Sequence, residues 1–354
     1  MSANAEERNK IKIGISIGDV NGIGPEVVIK TLANNELINE FTPIIYASSK
    51  IISYYKKALN LNEFNWHGIA AAEEAKPKRV NVVNVWNDEV IINIGVSNET
   101  GGSFAFRSLE AATKDLASGK IDVLVTAPIN KQNIQSKNFN FPGHTEYLAN
   151  LSNTDTALMT MVSGNLRIAT LTGHVPLKDV AKNITRELIQ KCLNTLNNSL
   201  KRDFNIVRPK IAVLGLNPHA GDNGLLGDEE IQTIKPAIEK ANKDGIFTMG
   251  PYGADGFFAS GNYKQFDAIL GMYHDQVLTP FKTLAFETGV NYTAGLPIVR
   301  TSPDHGTGYD IAGKNIANES SFREALYLAK DIFFNRKYYK EITANPLQKQ
   351  RADD

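Results

Sequence analysis

FDAILGMYHD (Phe266–Asp275) decides the fold. Its apolar run, Phe266–Tyr273, is short and continuous, as a buried strand would be. His274 and Asp275 stand where that strand stops. In open α/β sheets, ligands collect beyond the carboxyl ends of the strands, so this polar pair reads as part of a site. Downstream, AGLPIVR (Ala294–Arg300) is expected to be a second apolar piece ending in the same way, at Arg300, with the turn-rich TSPDHGTG behind it.

Upstream the same design recurs. Ile11–Ile17 reads as a first strand, followed by the loop GDVNGIGPE (Gly18–Glu26) and a helix through Val27, Val28, Ile29 and Leu32, with Pro25 suited to its first turn. The glycines at 18, 22 and 24 do not match the dinucleotide fingerprint, and the Walker lysine is missing. Phe41–Ser48 and Arg79–Trp86 read as strands, ISYYKKALN as a helix, and Thr100–Gly119 as a helix stopped by Gly119. IDVLVTAPINK (Ile121–Lys131) is an apolar strand that delivers Asn130 and Lys131 into a loop. Thr156–Val180 reads as a hairpin turning at Ser163-Gly164-Asn165. A helix over Leu177–Leu200 is expected next, then a strand ending at Asn217-Pro218-His219, a helix from near Asp228, and a loop, GPYGADGFFAS, carrying Asp255. The tail from Ser320 is an amphipathic helix. Strands alternating with helices predict an α/β protein with a largely parallel sheet.

At 354 residues, two domains are the default. Basic and acidic residues cancel at 38 each, which argues against nucleic acid as a partner. The single cysteine, Cys192, excludes an intrachain disulfide framework and fits a reducing compartment. No apolar run reaches about 18 residues, the length of a membrane span, and MSANAEERNK lacks the apolar core of a secretory signal. A cytoplasmic protein without membrane contact is the expectation.

Three strands are expected to end in a histidine: His174, His219 and His274. In a parallel sheet those ends would share one edge, and three imidazoles with an open position describe a divalent metal held for catalysis. Lys131, Lys282 and Arg300 supply positive charge of the kind that binds phosphate or carboxylate. His144-Thr145-Glu146 opens a helix, whose free amides suit an anion; the alternative is that Thr145 is only its N-cap. His67, beside Trp66, is read as a surface or packing residue.

GHTE, TGHVPL, GLNPHAG, MYHDQ and GLPIVRTSPDHGT, in this order and across nearly the whole chain, closely resemble the 4-hydroxythreonine-4-phosphate dehydrogenase family of pyridoxal phosphate synthesis. The resemblance implies two α/β/α domains with a cleft between them, as in the isocitrate and isopropylmalate dehydrogenases. One would comprise 1–135 plus 290–354, with a cofactor loop at 305–318; the other, 136–289, would carry the metal ligands and the dimer interface. It implies a metal site of His174, His219 and His274 for one zinc, magnesium or cobalt ion. It implies substrate contacts from His144, Thr145, Lys282, Asn291 and Arg300, and a homodimer in which two metal ligands come from one chain and one from the other; we assign His174 and His219 to one chain and His274 to its partner. DIAGKNIAN (Asp310–Asn318), after His305-Gly306-Thr307, is similar to the adenosine loop of isopropylmalate dehydrogenases. NAD, with NADP as the alternative, would therefore meet His305, Gly306, Thr307, Asp310 and Asn318. The implied reaction oxidises C3 of 4-phosphohydroxy-L-threonine to a β-keto acid that decarboxylates to 3-amino-2-oxopropyl phosphate. Lys282, Asp255 and Asp275 are the catalytic candidates, the two aspartates for proton transfer or for orienting a histidine ligand. The competing readings are a paralogue acting on a phosphorylated threonate or erythronate, a metal-dependent phosphatase or hydrolase, and a non-catalytic phosphate-binding module.

Overall fold

A computed structural model describes residues 10–345; the polar segment 1–9, read above as lacking a signal, lies outside them. Twelve strands form one sheet: β1 (Lys12–Ser16), β2 (Thr42–Ala47), β3 (Trp66–Ile69), β4 (Val80–Asn84), β5 (Val123–Thr126), β6 (Leu158–Ser163), β7 (Leu166–Thr172), β8 (Ile211–Leu214), β9 (Thr248–Tyr252), β10 (Ala268–Tyr273), β11 (Val290–Ala294) and β12 (Arg300–Pro303). Their order is β3-β4-β2-β1-β5-β12-β11-β6-β7-β10-β8-β9. The first six are parallel neighbours, as are β7, β10, β8 and β9. Between these blocks lies an antiparallel seam, β12-β11-β6-β7. The protein is mixed α/β, as expected. The boundary expected at 289/290 falls between β11 and β6, which pair from Val290↔Val162 to Ala294↔Leu158, so the sheet runs unbroken across it.

The inner parallel strands β2, β5 and β8 are buried along their whole length, which is why they read as continuous apolar runs. Helices cover them: α1 (Gly24–Leu32), α2 (Ser49–Ala58), α3 (Glu99–Ala117), α4 (His144–Leu151), α5 (Arg186–Arg202), α6 (Lys235–Lys243), α7 (Ala254–Ala259), α8 (His274–Ala285) and α9 (Ser320–Thr343). Ile13 and Ile15 of β1 and Phe322 of α9 are wholly buried in one core, where truncation to alanine would cost about 2–5 kcal/mol. Side chains Ser48, Asn98 and Thr185 cap α2, α3 and α5, each accepting from a backbone amide of the first turn.

Several local expectations are corrected. The helix expected over Leu177–Leu200 is broken: short turns occupy 177–183, and Thr185 caps a new helix. The stretch expected as a loop around Asp255 contains β9 and α7, the latter carrying Asp255 in its first turn. Arg300 begins a strand rather than ending one, because β11 and β12 are antiparallel and Gly295–Val299 turns between them. His67 lies half-buried in β3, the edge strand.

Candidate active site

A cleft of about 650 Å³ opens over the antiparallel seam. Strand alternation puts Arg300 and Ser302 of β12 on one face, and register brings Asn291 opposite both Ser302 and Met161 on that face. Tyr292 and Thr301 point the other way; Thr301 donates to the carbonyl of Ala325 in α9. The loop after β5, the start of α4, the ends of β7 and β10, and the loop after β12 complete the walls. His144, Thr145, His174, His274, Lys282, Asn291, Arg300, His305 and Gly306, all singled out from the sequence, line this one cleft.

Its cationic end is built around Arg300, which is 3% exposed. Nε and Nη2 donate to Thr126 Oγ1 at 3.1 and 2.6 Å, and Nη2 donates to His144 Nδ1 at 3.0 Å. Burial lowers the guanidinium to about 10, still charged at neutral pH. The same burial, with Arg300 and Lys131 adding repulsion, pushes His144 well below its ordinary value. A neutral His144 that accepts at Nδ1 must carry its proton on Nε2, and that buried atom has no partner in the chain. The Oδ1 atom of Asn291 is likewise buried and unpartnered. Thr145 is not the cap of α4: Gly143 holds that position and no side chain bonds back to the helix start, so its hydroxyl and the first amides remain available.

The second cluster pairs His174 and His274, whose ring centroids are 5.7 Å apart. His274 Nδ1 donates to Asp275 Oδ1 at 2.6 Å. That contact leaves the Nε2 lone pair of His274 free, the arrangement of a metal-ligating histidine steadied by a carboxylate. Lys131 Nζ donates to His174 Nε2 at 3.3 Å, so the lone pair of His174 is at Nε2, where a metal would take the place of the ammonium. Burial, followed by Lys131, lowers His174 toward the neutral form that ligation needs. The donor set therefore fits a divalent metal, although among the described residues no three metal-ligating side chains converge.

Of the three metal-ligand candidates, His219 is the one the chain does not bring to the cleft; Asp255, Asp275, Thr307, Asp310 and Asn318 also lie outside its lining. His219 lies five residues beyond β8, exposed, with φ of 53°. Asp255 is exposed nearby, and Gly253 touches both neighbourhoods: a Cβ there would lie 3.4 Å from Asp255 Oδ1 and 3.6 Å from His219 Cα. Within one chain the close pair is His174 with His274.

The 305–318 loop is split. His305 donates from Nδ1 to the carbonyl of Gly306 at 3.1 Å, leaving Nε2 buried and unpartnered; burial lowers its pKa. Gly306 faces open space. Thr307 turns inward, its carbonyl accepting from Ile23 N at 2.8 Å. Asp310 is exposed, and Asn318 Oδ1 accepts from Ser320 N at the start of α9. The loop is fastened by Asp19, which is wholly buried: its Oδ2 accepts from Tyr309 Oη at 2.7 Å and Asn133 Nδ2 at 2.8 Å, and its Oδ1 accepts from Asn21 N at 2.8 Å.

Sequence reasoning left Thr126, Glu146 and Asp304 unassigned. Asp304 accepts from Lys282 Nζ through its carbonyl at 3.0 Å and lies 3.2 Å from it through Oδ1. Burial raises its carboxyl, opposed by Lys282. Glu146 and Asp304 stand beside assigned residues, in GHTE and SPDHGTG, and Thr126 ends the apolar strand of IDVLVTAPINK, so position at a motif or a strand end was the available signal.

The chain matches the family described as Pyridoxal phosphate biosynthetic protein PdxA over residues 39–329. The chain belongs to the PdxA family. A relative in Bacteroides thetaiotaomicron, a 4-hydroxythreonine-4-phosphate dehydrogenase, is 52% identical over 97% of this chain and 94% of its own length. One of the same name in a Sulfurihydrogenibium strain is 42% identical over 90% of this chain and 97% of its own. The crystal structure of 4-hydroxythreonine-4-phosphate dehydrogenase from Klebsiella pneumoniae superposes with a TM-score of 0.77 at 33% identity, covering 92% of this PdxA chain and 98% of that one. Among the described residues, no helix of the PdxA chain is long and apolar enough to cross a membrane.

Proposed function

We propose that the chain oxidises 4-phosphohydroxy-L-threonine at C3 with NAD and a divalent metal, giving a β-keto acid that loses CO2 to leave 3-amino-2-oxopropyl phosphate for pyridoxal phosphate synthesis. The observation that carries this is the meeting, in one cleft, of a cationic end (Arg300, His144) with two imidazoles presenting Nε2 lone pairs (His174, His274). The 52% identity to a 4-hydroxythreonine-4-phosphate dehydrogenase supports the choice of substrate.

Arg300, the Nε2–H of neutral His144, the Thr145 hydroxyl, Asn291 and Lys282 hold the substrate phosphate, a dianion that suits several charge-assisted donors. His174 and His274 are the metal ligands of one chain; Asp275 orients His274, and His219 of a second copy, with Asp255 beside it, completes the set in a homodimer. When bound, the metal would make the C3 hydroxyl more acidic and draw charge from the carbonyl that replaces it, and NAD would supply the acceptor for the C3 hydride. His305, Gly306, Thr307, Asp310 and Asn318 are the proposed cofactor contacts, with His305 and Gly306 nearest the substrate. Breaking C1–C2 then sends its electron pair toward the ketone, and C2 takes a proton as CO2 leaves.

The test follows NADH and CO2 with this substrate, before and after chelation and metal readdition. Equal amounts of both products, lost with chelator and restored by a divalent ion, are expected. Release of inorganic phosphate without NADH would overturn the proposal in favour of a hydrolase.

A further inference from the structure

The geometry points to Lys131 as the residue that holds the substrate's carboxylate, apart from the phosphate-holding cluster around Arg300. This rests on the substrate proposed above and adds a residue that its phosphate, metal and cofactor contacts leave unused.

Four cationic side chains line the cleft, and they differ in what already balances them. Lys191 is paired with Asp155 at 2.7 Å. Lys282 is paired with Asp304 at 3.2 Å. Arg300 and Lys131 form no ion pair with a carboxylate among the described residues: Arg300 is bonded to Thr126 and His144, Lys131 to His174. Glu146, in the first turn of α4, is the carboxylate near both, beside Lys131 at Gly143 and acting on Arg300 from beyond ion-pair distance. The proposed substrate brings two anionic ends to these two cations. The phosphate dianion suits the richer set, a buried guanidinium beside the free Nε2–H of His144. The carboxylate, a monoanion, is matched by a single ammonium, a compact point charge.

Lys131 is also held in place. Asn130 Oδ1 accepts from the amides of Gln132 and Asn133, the Lys131 carbonyl accepts from Gln135 Nε2, and Asn133 is tied to the buried Asp19. The side chain runs past Gly143, where a Cβ would sit 3.8 Å from Lys131 Cε, and brings its ammonium to His174. An anion held there lies beside the imidazole pair and so beside C3. Loss of CO2 needs the C1–C2 bond upright against the plane of the new ketone. One ammonium on the carboxylate sets that rotation about C2–C3, which is positioning of the kind that speeds an intramolecular step.

The experiment compares wild type, Lys131→Met and Lys131→Arg. In Lys131→Met the KM for 4-phosphohydroxy-L-threonine should rise about ten- to a hundred-fold. The inhibition constant of inorganic phosphate and the affinity for 3-amino-2-hydroxypropyl phosphate, which lacks the carboxylate, should stay within about two-fold. Lys131→Arg should recover part of the loss. An unchanged KM, or a phosphate constant that rises in step with it, overturns the assignment. Should the wild type fail to turn over this substrate, that failure belongs to the proposed function. Calorimetric binding of the two ligands then still decides, equal loss of both in Lys131→Met counting against Lys131.

Discussion

His174 and His219 follow strands that flank β10 on opposite sides, and both look like strand-end histidines; only one reaches the cleft. His174 stands two residues beyond β7. His219 stands five beyond β8, in a run of positive φ at His219, Ala220, Asp222 and Asn223. The start of that run is clamped by Glu230, 1% exposed, whose Oε1 accepts from the amides of Leu216 and Asn217 at 2.7 and 2.8 Å. A strand end fixes where the backbone leaves the sheet; the next few φ angles decide where a side chain arrives. Equal positions in the sequence pattern are therefore unequal in space, and the inward pair and the outward histidine belong to different surfaces.

The strongest way to break this contrast is subunit mixing. His174→Ala, His219→Ala and His274→Ala should each abolish turnover with the fold retained. Exchange of His174→Ala with His219→Ala dimers should restore activity, since one of the two sites in the mixed dimer keeps an intact pair and an intact outward histidine. Exchange of His174→Ala with His274→Ala should restore none, because every site then lacks one member of its pair. Recovery in the second mixture and not the first would reverse the grouping.

A smaller effect separates the cationic end from the imidazole pair. Arg300→Met should raise the substrate KM by about ten- to a hundred-fold, the worth of a charged hydrogen bond or two, while binding of a divalent ion measured by calorimetry stays near wild type. Loss of metal binding in this variant would merge the two ends into one.

The smallest is a pH effect on stability. His144, His174 and His305 all lie below their ordinary 6.5 in the folded chain. As pH falls below about 6.5, the unfolded chain takes up protons that the native one refuses, so stability declines toward acid. The loss in Tm between neutral and mildly acidic pH should shrink in His144→Gln; an unchanged loss would take the buried cationic end out of the acid response.

Much of this was legible. Apolar runs marked β1, β2, β4, β5, β7, β8 and β10, since strands buried on both faces need no alternation. The cleft residues near glycine, proline and strand ends were legible for the same reason. What escaped depended on partners distant in sequence. β9, TMGPY, carries Gly250 and Pro251, which argue against a strand, yet it pairs with β8 through a register shift. Arg300 looked like the end of its apolar run, and only the antiparallel pairing of β11 with β12 makes it the start of a strand. The break at Ile184–Thr185 rests on one cap, Thr185 Oγ1 accepting from Leu188 N at 3.1 Å, inside a pattern that reads as helix on both sides.

Asp19 joins three chain segments that lie far apart in sequence: its own turn, the loop of Lys131 through Asn133, and the loop of His305 through Tyr309. The carboxylate has two oxygens, and each is engaged. A disturbance at either loop is thereby felt at the other, through a group that touches no proposed ligand. Two recognition elements share one anchor, so a change that retunes one of them alone must first leave that anchor intact. Variation within this fold is consequently freer at the rim of the cleft than beneath it.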